Sequence, residues 1–206
     1  MRQQAATDLP QRLDSTGRSL LFTEARTASL FDDTPVTDDE LRDVWDLARW
    51  SPSAANSQPL RVLFIRTTGS RERLIPHLDE GNREKTSNAP VSAVLAWDEN
   101  FHEHLPDLFP TKGEAIRARF ENQPESRHEL ARQSAALQTG VFLLAARAVG
   151  LATGPMAGFD RNGVDAEFFS GMTWRSHLVV NLGRPSSGPV MPRLPRLAQT
   201  HALHWL

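Results

Sequence analysis

Trp50-Ser51-Pro52-Ser53-Ala54-Ala55-Asn56-Ser57-Gln58-Pro59 lies between a helical run, Thr37 to Arg49, and an apolar strand, Arg61 to Arg66. Pro52 and Pro59 fix the chain at both ends of the stretch and neither suits a continuing helix. Between them stand four polar side chains, Ser53, Asn56, Ser57 and Gln58, with two alanines that leave room for something flat. A polar, small-residue loop between two regular elements is where binding groups tend to sit. Read blandly, the same residues make a helix-to-strand connection with good turn chemistry.

Working outward, Thr37-Asp38-Asp39-Glu40 is a capping-box start, with acidic side chains at the positive end of the helix dipole. Leu41, Val44, Trp45, Leu47 and Ala48 supply its apolar face. On the other side, Val91 to Trp97 and His177 to Leu182 read as strands beside Arg61 to Arg66. Ser15 to Ala25 and Ser70 to Leu78 read as helices, and Glu80 to Lys85 as a turn. Phe101 to Gln123 is broken by Pro106, Pro110 and Gly113, and only its later part looks helical. Ser126 to Val149 is the longest helix, ended by Gly150. Its middle, Ala135 to Ala148, is apolar almost all round, which suits a core centre or a subunit interface. Leu151 to Phe159 reads as a loop, and Asp160 as the cap of a short helix reaching Phe168. Few strands among many helices make this an α+β fold. Residues 1–14 read as a mobile arm and residues 15–206 as one domain, without internal repeat.

With 206 residues, 39% hydrophobic and 23% charged, the chain suits one globular unit with a sizeable core. A net charge of -2 offers no basic field for nucleic acid. There are no cysteines, which removes disulfides, thiolate nucleophiles and cysteine-held metals and agrees with a reducing cytoplasm. The polar start lacks the apolar core of a signal peptide, and no apolar run spans a bilayer, so a cytoplasmic protein off the membrane is expected. No G-x-G-x-x-G, P-loop, G-x-S-x-G or H-E-x-x-H pattern occurs. His102 and His104 flank Glu103, but no further ligand stands at metal spacing; the trio reads as solvated surface and no metal is expected. The five tryptophans read mostly as core candidates; Trp50, beside the opening loop, reads as packing ahead of the alternative of lining a cavity.

Four scattered features carry chemistry together. Arg26-Thr27 joins a permanent cation to a hydroxyl at a helix end, a pair suited to phosphate. Asn82 and Lys85 project to one side if their turn is helical, offering an amide for a flat heterocycle and an ammonium for developing negative charge. Pro155-Met156-Ala157-Gly158 can bring backbone N–H groups close to a ligand, and Arg193 and Arg196 add cations. Singly, each is ordinary surface charge or turn structure.

The order and spacing of S-P-S-A-A-N-S-Q-P, G-N-R-E-K, G-L-A-T-G-P-M-A-G-F-D and the arginine-bearing tail resemble the flavin-dependent nitroreductase family, from Leu20 to the C-terminus. E-A-R-T, D-T-P-V-T, L-F-P, A-W-D and R-L-P-R-L look closest to its malonic semialdehyde reductase (3-hydroxypropanoate dehydrogenase) branch. The resemblance implies a central, mostly antiparallel sheet flanked by helices, in an intertwined homodimer with FMN in clefts built by both subunits. It implies that Arg26 and Thr27 hold the FMN phosphate, joined by Arg193 or Arg196. Pro52, Ser53 and Asn56 would cover the ring and ribityl chain from the partner, and Asn82 and Lys85 would meet the pyrimidine edge. Pro155, Met156, Ala157 and Gly158 would lie over the ring, with a backbone N–H near N5. Lys85 is then the catalytic residue, in ping-pong hydride transfer from NADH or NADPH through N5 to an acceptor. The chain departs from the family at Ala157, where a glutamate is common, in the thin run Arg26-Thr27-Ala28-Ser29, and in tail arginines three apart rather than two. Reduction of malonic semialdehyde to 3-hydroxypropanoate stands first. A broad nitroaromatic or quinone reductase, a flavin-binding sensor or carrier without turnover, and a dimer whose loops mediate protein contacts follow in that order. Arg117, Arg119 and Arg161 are candidates for binding a substrate carboxylate.

Overall fold

The computed structural model describes residues 12–186 and 192–206. Alternation of branched apolar residues produces strands β1 (Leu60–Ile65), β2 (Val91–Asp98) and β4 (Trp174–Gly183), and β3 (Ala152–Met156) completes a sheet of order β1-β2-β4-β3. Every neighbouring pair is antiparallel, as expected. The central strand β2 is buried along nearly its whole length, because helices cover both faces of the sheet.

On one face lie α2 (Asp38–Ala48) and α7 (Pro124–Ala148). Leu41, Val44 and Ala48 of α2 and Phe142, Ala145 and Ala146 of α7 close a core with Leu60, Ala93, Leu95, Val180 and Leu182. The capping box is present: Thr37 Oγ1 accepts from Glu40 N at 3.2 Å and Thr37 N donates to Glu40 at 2.8 Å. On the other face α3 (Thr68–Leu74) and α8 (Arg161–Phe168) contribute Leu74 and Val164, packed with Leu78, Met156, Phe159 and Val179. α4 (Glu80–Ser87) leads from this layer into β2. A third cluster, Phe101, Leu105, Phe120 and Ala131, seats α5 (Leu105–Leu108) and α6 (Gly113–Glu121) on the start of α7.

Several expectations change. Residues 1–11 of the expected arm lie outside the described residues, but Asp14 accepts from Gly17 N at 2.7 Å and caps α1 (Ser15–Arg18). The first helix is not one α-helix to Ala25: α1 loosens into a π turn, Ser19–Thr23. Glu80 to Lys85 is helical rather than a turn. Part of the stretch expected to be a loop, Leu151 to Phe159, is β3. Its Pro155 is tolerated because β3 is an edge strand, where a missing N–H leaves no ladder bond unmade. Most of the tryptophans are not core: Trp50 is 83% and Trp205 87% exposed and Trp45 is exposed, while half-buried Trp97 and Trp174 pack against the edges of two core clusters. In the tail, α9 (Gln199–Ala202) is a short exposed turn.

Candidate functional site

The site is built along the outer edge of β3. At its C-terminal end Asn82 on α4 donates from Nδ2 to the Gly158 carbonyl at 2.9 Å and accepts from Lys85 Nζ through Oδ1 at 3.3 Å. The i,i+3 spacing on a helix thus puts amide and ammonium side by side, both half-buried. Asp79 N also donates to the Gly158 carbonyl, at 3.1 Å. A Cβ on Gly158 would collide with Asp79 Oδ2 and stand 3.0 Å from Asn82 Nδ2. The glycine therefore admits α4 to this loop, a reason for it that the sequence reading did not contain. Met156 turns its side chain into the core, where Thr86 Oγ1 and Asn181 Nδ2 lie 3.9 Å from its sulfur. Only its backbone remains for a ligand, while Ala157 is exposed and Pro155 half-buried.

At the other end of β3, Ala28 N donates to the Thr153 carbonyl at 2.9 Å, and Thr27 bridges Thr153 in parallel. This fixes Arg26 and Thr27, both exposed, against the strand edge. Gly154 is required by that crossing, since a Cβ there would lie 2.5 Å from the Ala28 carbonyl oxygen. Arg193 donates to the carbonyls of Thr23 and Ala25, the latter at 3.1 Å, bringing its guanidinium beside Arg26-Thr27. Arg196 instead donates to the carbonyls of Leu194 and Pro195 beside it. Of the two tail arginines, the structure brings Arg193 to the cluster. Arg26, Arg193 and Lys85 have no carboxylate partner among the described residues, whereas Arg42, Arg61, Arg66, Arg73 and Arg117 each pair with one. From Thr153 to Gly158 is five residues, about 16 Å at strand rise. A cationic, hydroxyl-bearing end and an amide–ammonium end thus face one edge.

The stretch Pro52 to Gln58 makes no hydrogen bond to either end among the described residues. It forms a turn in which Ala55, Asn56 and Gln58 all take positive φ, 52°, 52° and 42°. Each non-glycine residue held there costs about 1–3 kcal/mol, so the surroundings must impose the shape. They do so from three elements. Ser134 Oγ on α7 accepts from Ala54 N at 3.3 Å, and Gln138 Oε1 accepts from Leu60 N at 2.9 Å. Asn56 Nδ2 donates to the Leu108 carbonyl on α5 at 2.7 Å, and Ser53 Oγ accepts from Gln58 N at 3.1 Å. Arg61 reaches back from β1 to the Gln58 carbonyl. Pro52 and Asn56 stay exposed and Ser53 half-buried. Arg61, Ser134 and Gln138 were not singled out in the sequence. Polar Ser134 and Gln138, four apart within an apolar helix, are the signal that could have marked them.

Of the trio, Glu103 and His104 are exposed as expected, but His102 is not solvated surface. His102 is 2% exposed, its Nε2 lies 3.2 Å from Arg127 NH1, and Phe101 stands edge-on to it. Burial, with Arg127 beside it, holds its pKa below the usual histidine value. No metal-holding cluster of three or more His, Asp or Glu exists among the described residues. His177 is the unpaired residue of a β-bulge, since Leu95 faces Leu178 while Ala96 faces Ser176. The bulge directs its Nε2 to 2.9 Å from Thr139 Oγ1 on α7, and burial, aided by the Arg161 charge, pushes its pKa down to about 4. Arg117 is held by Glu114 and Glu121 on its own helix, so its charge is already paired, whereas exposed Arg119 donates from Nε to the neutral amide of Gln123.

The family model for the nitroreductase family matches residues 23–184. A Streptomyces coelicolor protein named NADH dehydrogenase/NAD(P)H nitroreductase is 54% identical over 194 residues, which cover 94% of this chain and 96% of that protein. Among solved structures, a Bacillus subtilis nitroreductase superposes with a TM-score of 0.84 at 20% identity, covering 94% of this chain and 100% of that one. An Exiguobacterium sibiricum nitroreductase solved in complex with FMN gives 0.78 at 19% identity, covering 98% and 99%. The antiparallel four-stranded sheet with helices on both faces agrees with the fold of these neighbours. The matched model spans most of the chain and the Streptomyces coelicolor relative nearly all of it, and on that evidence this chain belongs to the nitroreductase family.

Proposed function

We propose that the protein is an FMN-dependent NAD(P)H oxidoreductase of the nitroreductase family, reducing malonic semialdehyde to 3-hydroxypropanoate. The observation that carries the reading is the edge of β3, with Arg26 and Arg193, neither paired to a carboxylate among the described residues, beside Thr27 at one end and Lys85 with Asn82 at the other. An elongated ligand with an anion at one end and a flat hydrogen-bonding head at the other matches that distribution, and FMN has this form. Bound FMN supplies hydride transfer between a nicotinamide and an acceptor. The chain supplies the rest. Arg26, Thr27 and Arg193 hold the phosphate through charge-assisted hydrogen bonds. Asn82, its Oδ1 and Nδ2 already set by Lys85 and Gly158, fixes the direction of the ammonium. Lys85 presents a preset positive charge to the pyrimidine edge, where negative charge develops. Pro155 to Gly158 offer backbone within reach of the ring.

Pro52, Ser53 and Asn56 precede β1, the strand at the opposite edge of the sheet from β3, and make no hydrogen bond to either end of the site among the described residues, so their proposed part requires a second subunit. A homodimer is supported by the exposed apolar surface: Leu137 on α7, with open space around Gly140, together with Trp50, Leu203, Trp205 and Leu206. Such a quantity of exposed large apolar side chains marks a contact surface. A cytoplasmic setting belongs to the same proposal, and no helix among the described residues is long and apolar enough to cross a membrane.

A broad nitroaromatic or quinone reductase using the same site is the second reading, favoured by the name of the Streptomyces coelicolor relative. Steady-state kinetics on FMN-loaded protein separates the two. A kcat/KM for malonic semialdehyde well above that for a nitroaromatic or a quinone supports the first; the reverse order supports the second.

A further inference from the structure

We propose that Arg61 and Asp98 form a clamp that holds the Ala54–Gln58 turn in its left-handed shape, and that through this turn they set flavin affinity. The second half rests on the flavin reading above. Neither residue belongs to the phosphate or Lys85 groups; both act as positioning residues. Arg61 NH1 donates to the carbonyls of Gln58 and Leu60, each at 3.0 Å, while NH2 donates to Asp98 Oδ2 at 2.7 Å. One planar guanidinium thus ties the exit of the turn to the far end of β2. A lysine offers no such fork.

Asp98 is itself fixed and largely buried. Its Oδ1 accepts from Thr173 Oγ1 at 2.6 Å and from Asn100 N at 2.9 Å, and its backbone N–H donates to the Pro59 carbonyl at 3.0 Å. Asp98 therefore cannot follow Arg61 if the arginine shifts, and Arg61 cannot leave the Gln58 carbonyl without giving up its carboxylate. Gln58 has φ of 42°, and its side chain donates to Asn56 Oδ1 at 3.0 Å, so the orientation imposed at Gln58 passes to Asn56. Asn56 is exposed and is one of the residues proposed to reach the ring of the partner subunit. A turn with three left-handed non-glycine residues relaxes once one restraint is removed, and strain of this kind marks sites whose shape is set in advance.

The test uses full-length wild type, Asp98→Asn, Arg61→Lys and the double variant, in two measurements. Amide hydrogen exchange over residues 54–58 needs no flavin. It is expected to speed up at least about tenfold in each variant while β2 amides stay protected. FMN titration, read by quenching of flavin fluorescence and by visible circular dichroism of the bound flavin, is expected to show Kd raised about tenfold or more. The double variant should be no worse than the weaker single one, as for two halves of one device. Thr173→Val, which removes one donor to Asp98 from outside the turn, gives a milder version if Asp98→Asn folds poorly. Unchanged exchange at residues 54–58 overturns the clamp whether or not FMN binds. Faster exchange with Kd within twofold of wild type and an unaltered flavin spectrum overturns its link to the cofactor. Wild type that takes up no FMN overturns the flavin reading and that link together, leaving the exchange result to decide the clamp.

Discussion

His177→Gln isolates one half-buried histidine and its pH dependence. In the folded protein the imidazole lies in the bulge of β4, hydrogen-bonded to Thr139, and its pKa is about 4 against 6.5 when exposed. The folded pKa is the lower one, so the unfolded chain binds the proton more readily and protonation favours unfolding. Above pH 6.5 both states are neutral at this site and nothing is lost. As pH falls from 6.5 towards 4 the unfolded chain alone takes up the proton, and stability drops by 1.36 kcal/mol per pH unit, about 3 kcal/mol in total. Below pH 4 both states are protonated and the loss is constant. The causes are the removal of imidazolium from water and the Arg161 charge; the bond to Thr139 survives, because Nε2–H can donate to the hydroxyl. Glutamine keeps a hydrogen-bonding amide and no titration. Urea unfolding of wild type and variant at equal protein concentration, from pH 7 to pH 4, should give a stability difference that shifts by about 3 kcal/mol against wild type. In thermal scans the same shift is about 6–12 °C for a chain of this size. A difference that stays flat across this range would refute the argument that the bulge holds the histidine neutral.

Four further outcomes follow from the same structure. Lys85→Ala should leave FMN affinity within about tenfold and slow flavin reduction by NAD(P)H by about 100-fold, since its charge matters most where charge develops; stopped-flow reduction at the wild-type rate in a flavin-replete variant removes its catalytic role. Gly158→Ala should lose about 1–3 kcal/mol of stability and weaken FMN binding together, because the added Cβ displaces Asp79 and Asn82; denaturation and titration of one sample check both. The Arg184 side chain, bonded to Glu40, and the Thr37 cap hold the Glu40 pKa down to about 2, so its contribution is present above pH 4.5 and lost as pH falls towards 2. Glu40→Gln should therefore cost about 1 kcal/mol at neutral pH, after screening of this partly exposed pair, and next to nothing once the pH is below the folded pKa. Leu137→Arg, on the open face of α7, should shift the protein to monomer in sedimentation and lower its FMN content.

The sheet was legible wherever branched residues run unbroken, at Arg61 to Arg66, Val91 to Trp97 and His177 to Leu182. β3 was not, because Ala-Thr-Gly-Pro-Met carries two strand breakers that only an edge beside a crossing chain permits. Thr37 to Glu40 announced its helix in full, since a capping box is local. The burial of His102 and the bulge at His177 depend on partners 25 and 38 residues away, Arg127 and Thr139, and left no mark within their own windows. Nor do Ala55 and Gln58 announce left-handed backbone, which glycine would have signalled; the shape comes from Ser134, Leu108 and Arg61. Of the site, the spacing of Asn82 and Lys85 sufficed to pair them, and Arg193 was separated from Arg196 only by the path of the tail. Trp45, Trp50 and Trp205, read as core, lie on the surface because composition alone does not fix which apolar side chains a chain buries.

The visible absorption spectrum of FMN-loaded protein, recorded anaerobically before and after NADH and then NADPH, tests the central claim most directly. The account predicts flavin bands that bleach with at least one donor and return when an acceptor is added. Bands that persist with both donors would make the protein a flavin binder without turnover, and protein that stays colourless after incubation with FMN would contradict the account altogether.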